Sequence, residues 1–349
     1  MLAPSRDLDA DRRDGEVAMR SDAREGPLLS VRDLHVSFTK GGHTVQAVSG
    51  VSLDLFAGET LGLVGESGCG KSTTGRAIAQ IIRPTSGSIT LGGVELSTLR
   101  AARLRRERTR LQMIFQDPVS SLNPRRRISD IVAEPLDIWG TATGSERERI
   151  VAEMLEAVGM DPGLTGQRYP RQFSGGQCQR ISIARALCMR PEVLVCDEIV
   201  SALDVSIQAQ ILNLIEDLKR DYSLTLLFIA HDLAVVRNVS DRVAVMYLGR
   251  LCEVAPSDAL YAAPAHPYTS ALLASAVEPD PDAPRRHAPL QGEPPSPLDP
   301  PSGCRFRTRC PLATDRCALE VPPLREVAPG REVACHFPLI GASAPQSAA

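Results

Sequence analysis

"GESGCGKST", residues 65–73, follows the apolar run "TLGLV" and leads into "TGRAIAQII". The small residues end in a lysine, in a chain that carries 3 Lys against 36 Arg. The stretch fits G-x-x-x-x-G-K-[ST] through Gly65, Gly70, Lys71 and Ser72. Glycines let backbone N–H groups curl around phosphate oxygens with no Cβ in the way. A helix beginning there turns its positive end toward the same oxygens. Lys71 adds a compact cation where a forked guanidinium would fit poorly, and the Ser72 hydroxyl can ligate Mg²⁺. Glu66, Ser67, Gly68, Cys69 and Thr73 complete the expected nucleotide loop. The alternative, a chance glycine-rich turn, is weakened by the strand before it and the helix after it.

A partner for that loop stands further along. "VLVCDE", residues 193–198, reads as a buried strand that delivers Asp197 and Glu198 at its end. Asp197 can reach Mg²⁺ and Glu198 can polarise a water. "FSGGQ", residues 173–177, is a second anion cradle, with Ser174, Gly175, Gly176 and Gln177 at a helix start. One nucleotide needs one such loop, so a second suggests ATP held between two molecules.

With these three motifs in place, residues 28 to 275 resemble the ATP-binding-cassette ATPases. The resemblance implies a P-loop hydrolase fold: a RecA-like α/β core, an antiparallel β subdomain and a helical subdomain at about 117–178. It implies roles as well. Phe38 stacks on adenine, although a core phenylalanine would look the same in sequence. Gln116 senses Mg²⁺ and the attacking water. Ser174–Gln177 touch the ATP of the opposite subunit, Asp204 in "SALD" lies across the dimer interface, and His231 in "FIAHD" holds the γ-phosphate. "MIFQDPVSSLNPR", "CDEIVSALDVSIQAQILNLI" and "HPYTSALLASAV" narrow the likeness to ATPase subunits of oligopeptide and dipeptide importers, the F-type member of a D/F pair. Expected partners are a D-type ATPase, two transmembrane permeases and an extracytoplasmic peptide-binding protein. Import of nickel, a sugar or another small solute, and a soluble ATPase role in DNA repair or translation, are the rival functions. Two positions depart from the family pattern: Ile199 stands where a proline usually follows the glutamate, and Cys178 follows the signature glutamine.

The nine cysteines divide in two. Cys69, Cys178, Cys188, Cys196 and Cys252 are scattered and read as single, mostly buried thiols. Cys304, Cys310, Cys317 and Cys335 crowd into one segment, which in a reducing compartment suggests metal before disulfides. The spacing lacks the close pairs of zinc ribbons. The family resemblance implies a [4Fe–4S] cluster; zinc and free thiols remain open. His336 adds a further candidate ligand.

Around these motifs, strands alternate with helices, which implies an α/β domain with a largely parallel sheet. The expected organisation is a disordered tail at 1–27, the ATPase at 28–277, a proline-rich linker at 278–303, a small cysteine-rich C-terminal extension at 304–340 and a loose end at 341–349. The proline-rich stretch cannot be a regular helix or a central strand. A net charge of −3 gives no global pull toward nucleic acid. The arginines of "RAARLRRERTR" lack interleaved aromatics for base stacking, so a solvated helix face is the better reading. No apolar run approaches the roughly 20 residues of a membrane span. The N-terminus lacks the apolar core of a signal peptide. A place at the cytoplasmic face of the membrane, held through permeases, is the expectation.

Overall fold

The computed structural model describes residues 26–275 and 292–340. The expected N-terminal tail up to residue 25, residues 276–291, which include the first part of the linker expected at 278–303, and the end segment 341–349 lie outside the described residues.

The chain starts with two long antiparallel strands, β1 (Leu29–Lys40) and β2 (His43–Leu55). The short buried strand β3 (Thr60–Val64) leads through the glycine loop into α1 (Lys71–Ile78). Strands β4 (Ser86–Leu91) and β5 (Val94–Glu95) return to the first sheet, whose order is β2-β1-β4-β5. The basic helix α2 (Ala101–Glu107) has no buried residue, as a solvated face requires, and precedes β6 (Leu111–Ile114). Four helices follow: α3 (Ile128–Trp139), α4 (Gly144–Ala157), the single turn α5 (Pro162–Thr165) and α6 (Gly175–Leu187). Then come β7 (Val193–Asp197), α7 (Val205–Tyr222), β8 (Thr225–Ile229), α8 (Leu233–Val239) and the hairpin β9 (Arg242–Tyr247) and β10 (Arg250–Pro256). Helices α9 (Ser257–Ala262) and α10 (Pro267–Ser275) close this part. The C-terminal segment holds α11 (Asp315–Leu319), β11 (Arg325–Ala328) and β12 (Arg331–Val333).

The large sheet runs β11-β12-β10-β9-β3-β8-β7-β6. Its centre, β9-β3-β8-β7-β6, is parallel. Both faces are covered, so its strands read as unbroken apolar runs rather than as alternation. The pleat still sorts them. Val193, Val195, Leu227 and Ile229 join the core under the first sheet, while Leu194, Cys196, Leu226 and Phe228 join the core under the helices. Helix α7 shows why the second face closes: Ile211, Leu214, Ile215 and Leu218 recur at helical spacing and are buried. Each such side chain contributes about 1.5–3 kcal/mol on burial.

The C-terminal segment is built into the main sheet. Strand β12 pairs with β10, Glu253 opposite Val333, and β11 pairs with β12. A fully buried carboxylate anchors the join. Glu253 accepts from the backbone N–H of Ala265 (2.9 Å) and His266 (2.8 Å), and pairs with Arg331 at 2.8 Å. The segment therefore borrows its core from the ATPase instead of relying on a proline arm alone.

Candidate active site

The glycine loop is shaped by close approach. Gly65 has φ +153° and a Cβ there would sit 2.1 Å from the Met246 carbonyl oxygen. Gly70, at φ +107°, would meet the Ala47 carbonyl oxygen at 2.3 Å. Neither position tolerates a side chain without moving backbone. Lys71 is buried and its Nζ donates to the carbonyls of Gly65 (2.8 Å) and Glu66 (3.1 Å), so the cation lies inside its own loop. Ser67 to Thr73 complete the turn and the first residues of α1, with the Cys69 thiol buried and its titration pushed up by that burial.

Across the loop, Ser72 Oγ donates to Asp197 Oδ1 at 2.7 Å. Asp197 is fully buried; burial raises its pKa, partly offset by the Ser72 hydrogen bond and the Arg76 guanidinium 3.8 Å away. Its second oxygen, Oδ2, has no hydrogen-bond partner among the described residues. A buried carboxylate oxygen left over beside a serine hydroxyl is a donor set that suits a hard divalent cation.

Glu198 follows on a strained turn at φ +50°. Its N–H donates to Ile229 and its carbonyl accepts from Ser201 N (3.2 Å) and Ser201 Oγ (2.9 Å). Ser201 thus closes the turn in which Ile199 replaces proline, and Ile199 itself is packed in the core. Glu198 Oε2 accepts from Gln116 Nε2 at 3.0 Å and lies 3.2 Å from His231 Nδ1. Three residues from three segments therefore meet on one carboxylate.

The other expected positions stand apart. Ser174 caps α6 in a reciprocal box with Gln177, 3.3 and 3.0 Å, and Gly176 packs so closely on Ile207 that a Cβ would meet it at 2.6 Å. Asp204 caps α7, and the Ile207 N–H and Ser206 hydroxyl hold its pKa down. Ser174, Gly175, Gln177 and Asp204 are exposed, as is Phe38 on β1. Among the described residues, no hydrogen bond or ion pair joins the 174–177 stretch or Asp204 to the glycine loop.

The four tail cysteines line one small cavity with His266, Phe306, Arg307 and His336. Burial raises the pKa of Cys304, Cys310 and Cys335, the last to about 11. Backbone N–H groups pull the other way: Phe306 and Arg307 toward Cys304, Leu312 toward Cys310, and Phe337 toward Cys335 Sγ at 3.3 Å. Among the described residues, no three His, Cys, Asp or Glu side chains converge as a metal-holding group. His336 Nε2 lies 3.1 Å from the Glu320 carbonyl oxygen.

Several residues had no signal in the sequence. Tyr268 accepts a hydrogen bond from Glu66 N–H at 3.0 Å. Arg309 pairs with the Glu66 carboxylate at 2.7 Å, and Arg305 donates to the Leu248 carbonyl and to Ser49. The three arginines of "CRFRTRC", Arg305 and Arg309 among them, were the available clue, but in so arginine-rich a chain they carry little weight.

A phosphate loop between a buried strand and a helix, an acidic strand end and a glutamine–glutamate–histidine constellation define an ABC-type ATPase. The ABC transporter family model matches residues 48–201, and the model for the oligopeptide/dipeptide transporter C-terminal region matches residues 252–317. A probable peptide ABC transporter ATP-binding protein of Sinorhizobium fredii is 53% identical over 84% of this chain and 82% of its own length. The oligopeptide transport ATP-binding protein AppF of Bacillus subtilis is 51% identical over 84% of this chain and 90% of its own. The dimeric, post-hydrolysis structure of the ATP-binding cassette MJ0796 bound to ADP and Pi superposes with a TM-score of 0.60 at 26% identity, covering 66% of this chain and 98% of that one. The chain belongs to the ABC transporter ATP-binding proteins, in the family of peptide-import ATPase subunits.

Proposed function

We propose that this chain powers uptake of oligopeptides or dipeptides by hydrolysing ATP beneath a pair of membrane permeases. The observation that carries this reading is the joint presence of an ABC ATPase and the C-terminal region matched at 252–317. Among the described residues no helix is long and apolar enough to cross a membrane, which fits a peripheral ATPase held through permease subunits on the cytoplasmic face. The proposed assembly adds a D-type ATPase as the second nucleotide-binding subunit and a peptide-binding protein outside.

In this reading Lys71 and the loop N–H groups of residues 65–73 hold the β- and γ-phosphates. Phe38, exposed on β1, is the proposed adenine platform. Ser72 and Asp197 would hold Mg²⁺, with Gln116 near it; the ion would neutralise phosphate charge. Glu198 orients the attacking water and His231 contacts the γ-phosphate. Exposed Ser174, Gly175, Gln177 and Asp204, with Gly176 between them, supply the opposite subunit's nucleotide. Their exposure and their lack of hydrogen bonds to the loop support a site completed across a dimer. Catalysis is then mainly positioning and charge neutralisation.

Cys304, Cys310, Cys317 and Cys335 are proposed to hold a [4Fe–4S] cluster in a small cysteine-rich C-terminal extension. Four thiols around one cavity, with backbone N–H groups directed at three of them, suit thiolate ligation. Four thiols suit a single zinc ion equally well in donor type, so zinc is the alternative occupant of the same cavity. When bound, such a group would crosslink the segment.

Reconstitution with the permeases in proteoliposomes tests the function. Peptide-loaded binding protein should stimulate ATP hydrolysis by these subunits. Stimulation by nickel or sugar and not by peptide would overturn the proposal.

A further inference from the structure

The phosphate loop is gripped from outside the ATPase motifs. Tyr268 Oη, on α10, accepts the Glu66 backbone N–H. Arg309, in the segment between Cys304 and Cys310, holds the Glu66 carboxylate with both terminal nitrogens, at 2.7 and 3.2 Å. Its side chain is only 6% exposed and lies 5.8 Å over the Tyr247 ring. Tyr247, Tyr268 and Phe306 pack against one another in tilted and edge-to-face pairs with ring centroids 4.7–5.3 Å apart, so the arginine rests on an aromatic base. A second contact runs in parallel. Arg305 binds the Leu248 carbonyl, and the adjacent Gly249 N–H donates to the Cys69 carbonyl of the loop at 2.7 Å. The cysteine segment thus reaches the nucleotide loop directly, although the two are far apart in sequence.

The pairing answers an electrostatic problem. Glu66 is a carboxylate inside a loop built to take a polyphosphate, and an unneutralised negative charge there opposes ligand binding. We propose that Arg309 is a positioning residue of the nucleotide site: it neutralises Glu66 and fixes it against the C-terminal segment, so that this segment sets ATP affinity. Arg309 acts through Glu66 and touches no reacting atom.

Equilibrium binding of the non-hydrolysable analogue AMP-PNP with Mg²⁺ to the full chain tests this. Arg309→Met keeps the apolar stem over Tyr247 and removes the charge. It should weaken binding on the order of tenfold, and the defect should shrink as salt rises. The turnover number of Arg309→Met at saturating ATP should stay within about twofold of wild type, because the reacting groups are untouched. Removing the carboxylate as well, in Glu66→Gln/Arg309→Met, should restore affinity. A purely structural arginine would give no such rescue. Wild-type affinity in Arg309→Met, or a double variant as weak as the single, would overturn the proposal. If circular dichroism shows Arg309→Met unfolded, Arg309→Lys decides. It keeps the charge but loses the paired fork, so it should bind about threefold more weakly; unchanged affinity would overturn the idea. Failure of the wild-type chain to bind nucleotide would instead strike the ATPase reading itself.

Discussion

The nucleotide loop and the cysteine cavity are both small constructions, yet they are secured in opposite ways. The loop is one contiguous stretch, and its shape is enforced by backbone: glycines pressed on the carbonyls of Ala47 and Met246, and a lysine folded onto its own loop. The cavity is assembled from residues spread between 266 and 337 and is held by borrowed contacts: a strand added to β10, the Glu253–Arg331 pair and the Phe306 aromatic cluster. A contiguous site survives much change elsewhere in the chain. A borrowed one depends on its host, and here the host is the ATPase. The dependence also runs back, through Arg309 to Glu66.

The largest expected effect lies on the catalytic side of this comparison. Glu198→Gln should retain ATP binding and lose turnover by on the order of 10²–10⁴-fold, since a positioned base of this kind contributes about that much. Near-normal steady-state hydrolysis would remove Glu198 from its role. Lys71→Ala should instead weaken nucleotide binding itself, measured by equilibrium binding of AMP-PNP with Mg²⁺.

On the tail side, serine replacement of Cys304, Cys310, Cys317 or Cys335 should each bleach the broad absorbance near roughly 400 nm of anaerobically purified protein and lower iron from about four per chain. Cys69→Ser should not. Colourless wild-type protein holding one zinc would replace the cluster but keep the crosslink; four freely alkylated thiols in a folded segment would remove both.

A smaller effect tests the borrowed anchor. Glu253→Gln leaves Arg331 without its carboxylate in a nearly closed site, with the Ala263 carbonyl as its retained partner, which should cost about 3 kcal/mol. The melting temperature should fall, and limited proteolysis should cut first in the C-terminal segment. An unchanged melting curve would mean the join does not rest on this carboxylate.

The smallest is a pH effect beside the cavity. Burial lowers the pKa of His266 from 6.5 to about 4, with the Ala334 backbone hydrogen bond opposing weakly. The folded protein therefore keeps this ring neutral while the unfolded chain protonates it. Its contribution is fully present above pH 6.5 and is lost as pH falls from there toward 4. His266→Phe should flatten the fall in melting temperature across that window. An equally steep fall in the variant would exclude His266 as its source.

The split in legibility follows the same divide. The glycine loop, Asp197 and Glu198 were readable because each sits in a short motif whose residue types are set by the chemistry; Gln116 and His231 entered only through the family resemblance, and the structure brings both onto the Glu198 carboxylate. The alternation of apolar strands with helices gave the parallel core for the same local reason. Helix α1 ends at Ile78, earlier than its apolar pattern suggests, because Gln80 turns to φ +57°. What stayed hidden is non-local. Glu253, Tyr268, Arg305 and Arg309 act on partners fixed only by the fold; "HPYTSALLASAV" marks Tyr268 as part of a family stretch but not its hydrogen bond to Glu66. Arg309 on Glu66 ties the tail to the ATP site through a contact that no motif announces.

A covalently linked tandem of two copies bears most directly on the claim that the ATP site is completed across subunits. Lys71→Ala and Ser174→Arg are placed either in the same half or in opposite halves, and ATP hydrolysis is measured. If each site joins the loop of one copy to the Ser174 stretch of the other, opposite-half lesions damage one site twice and leave one clean. Same-half lesions damage both sites. The predicted result is therefore partial activity with the lesions in opposite halves and none with both in one half. The reverse pattern would show a nucleotide site contained within a single chain and would contradict the account.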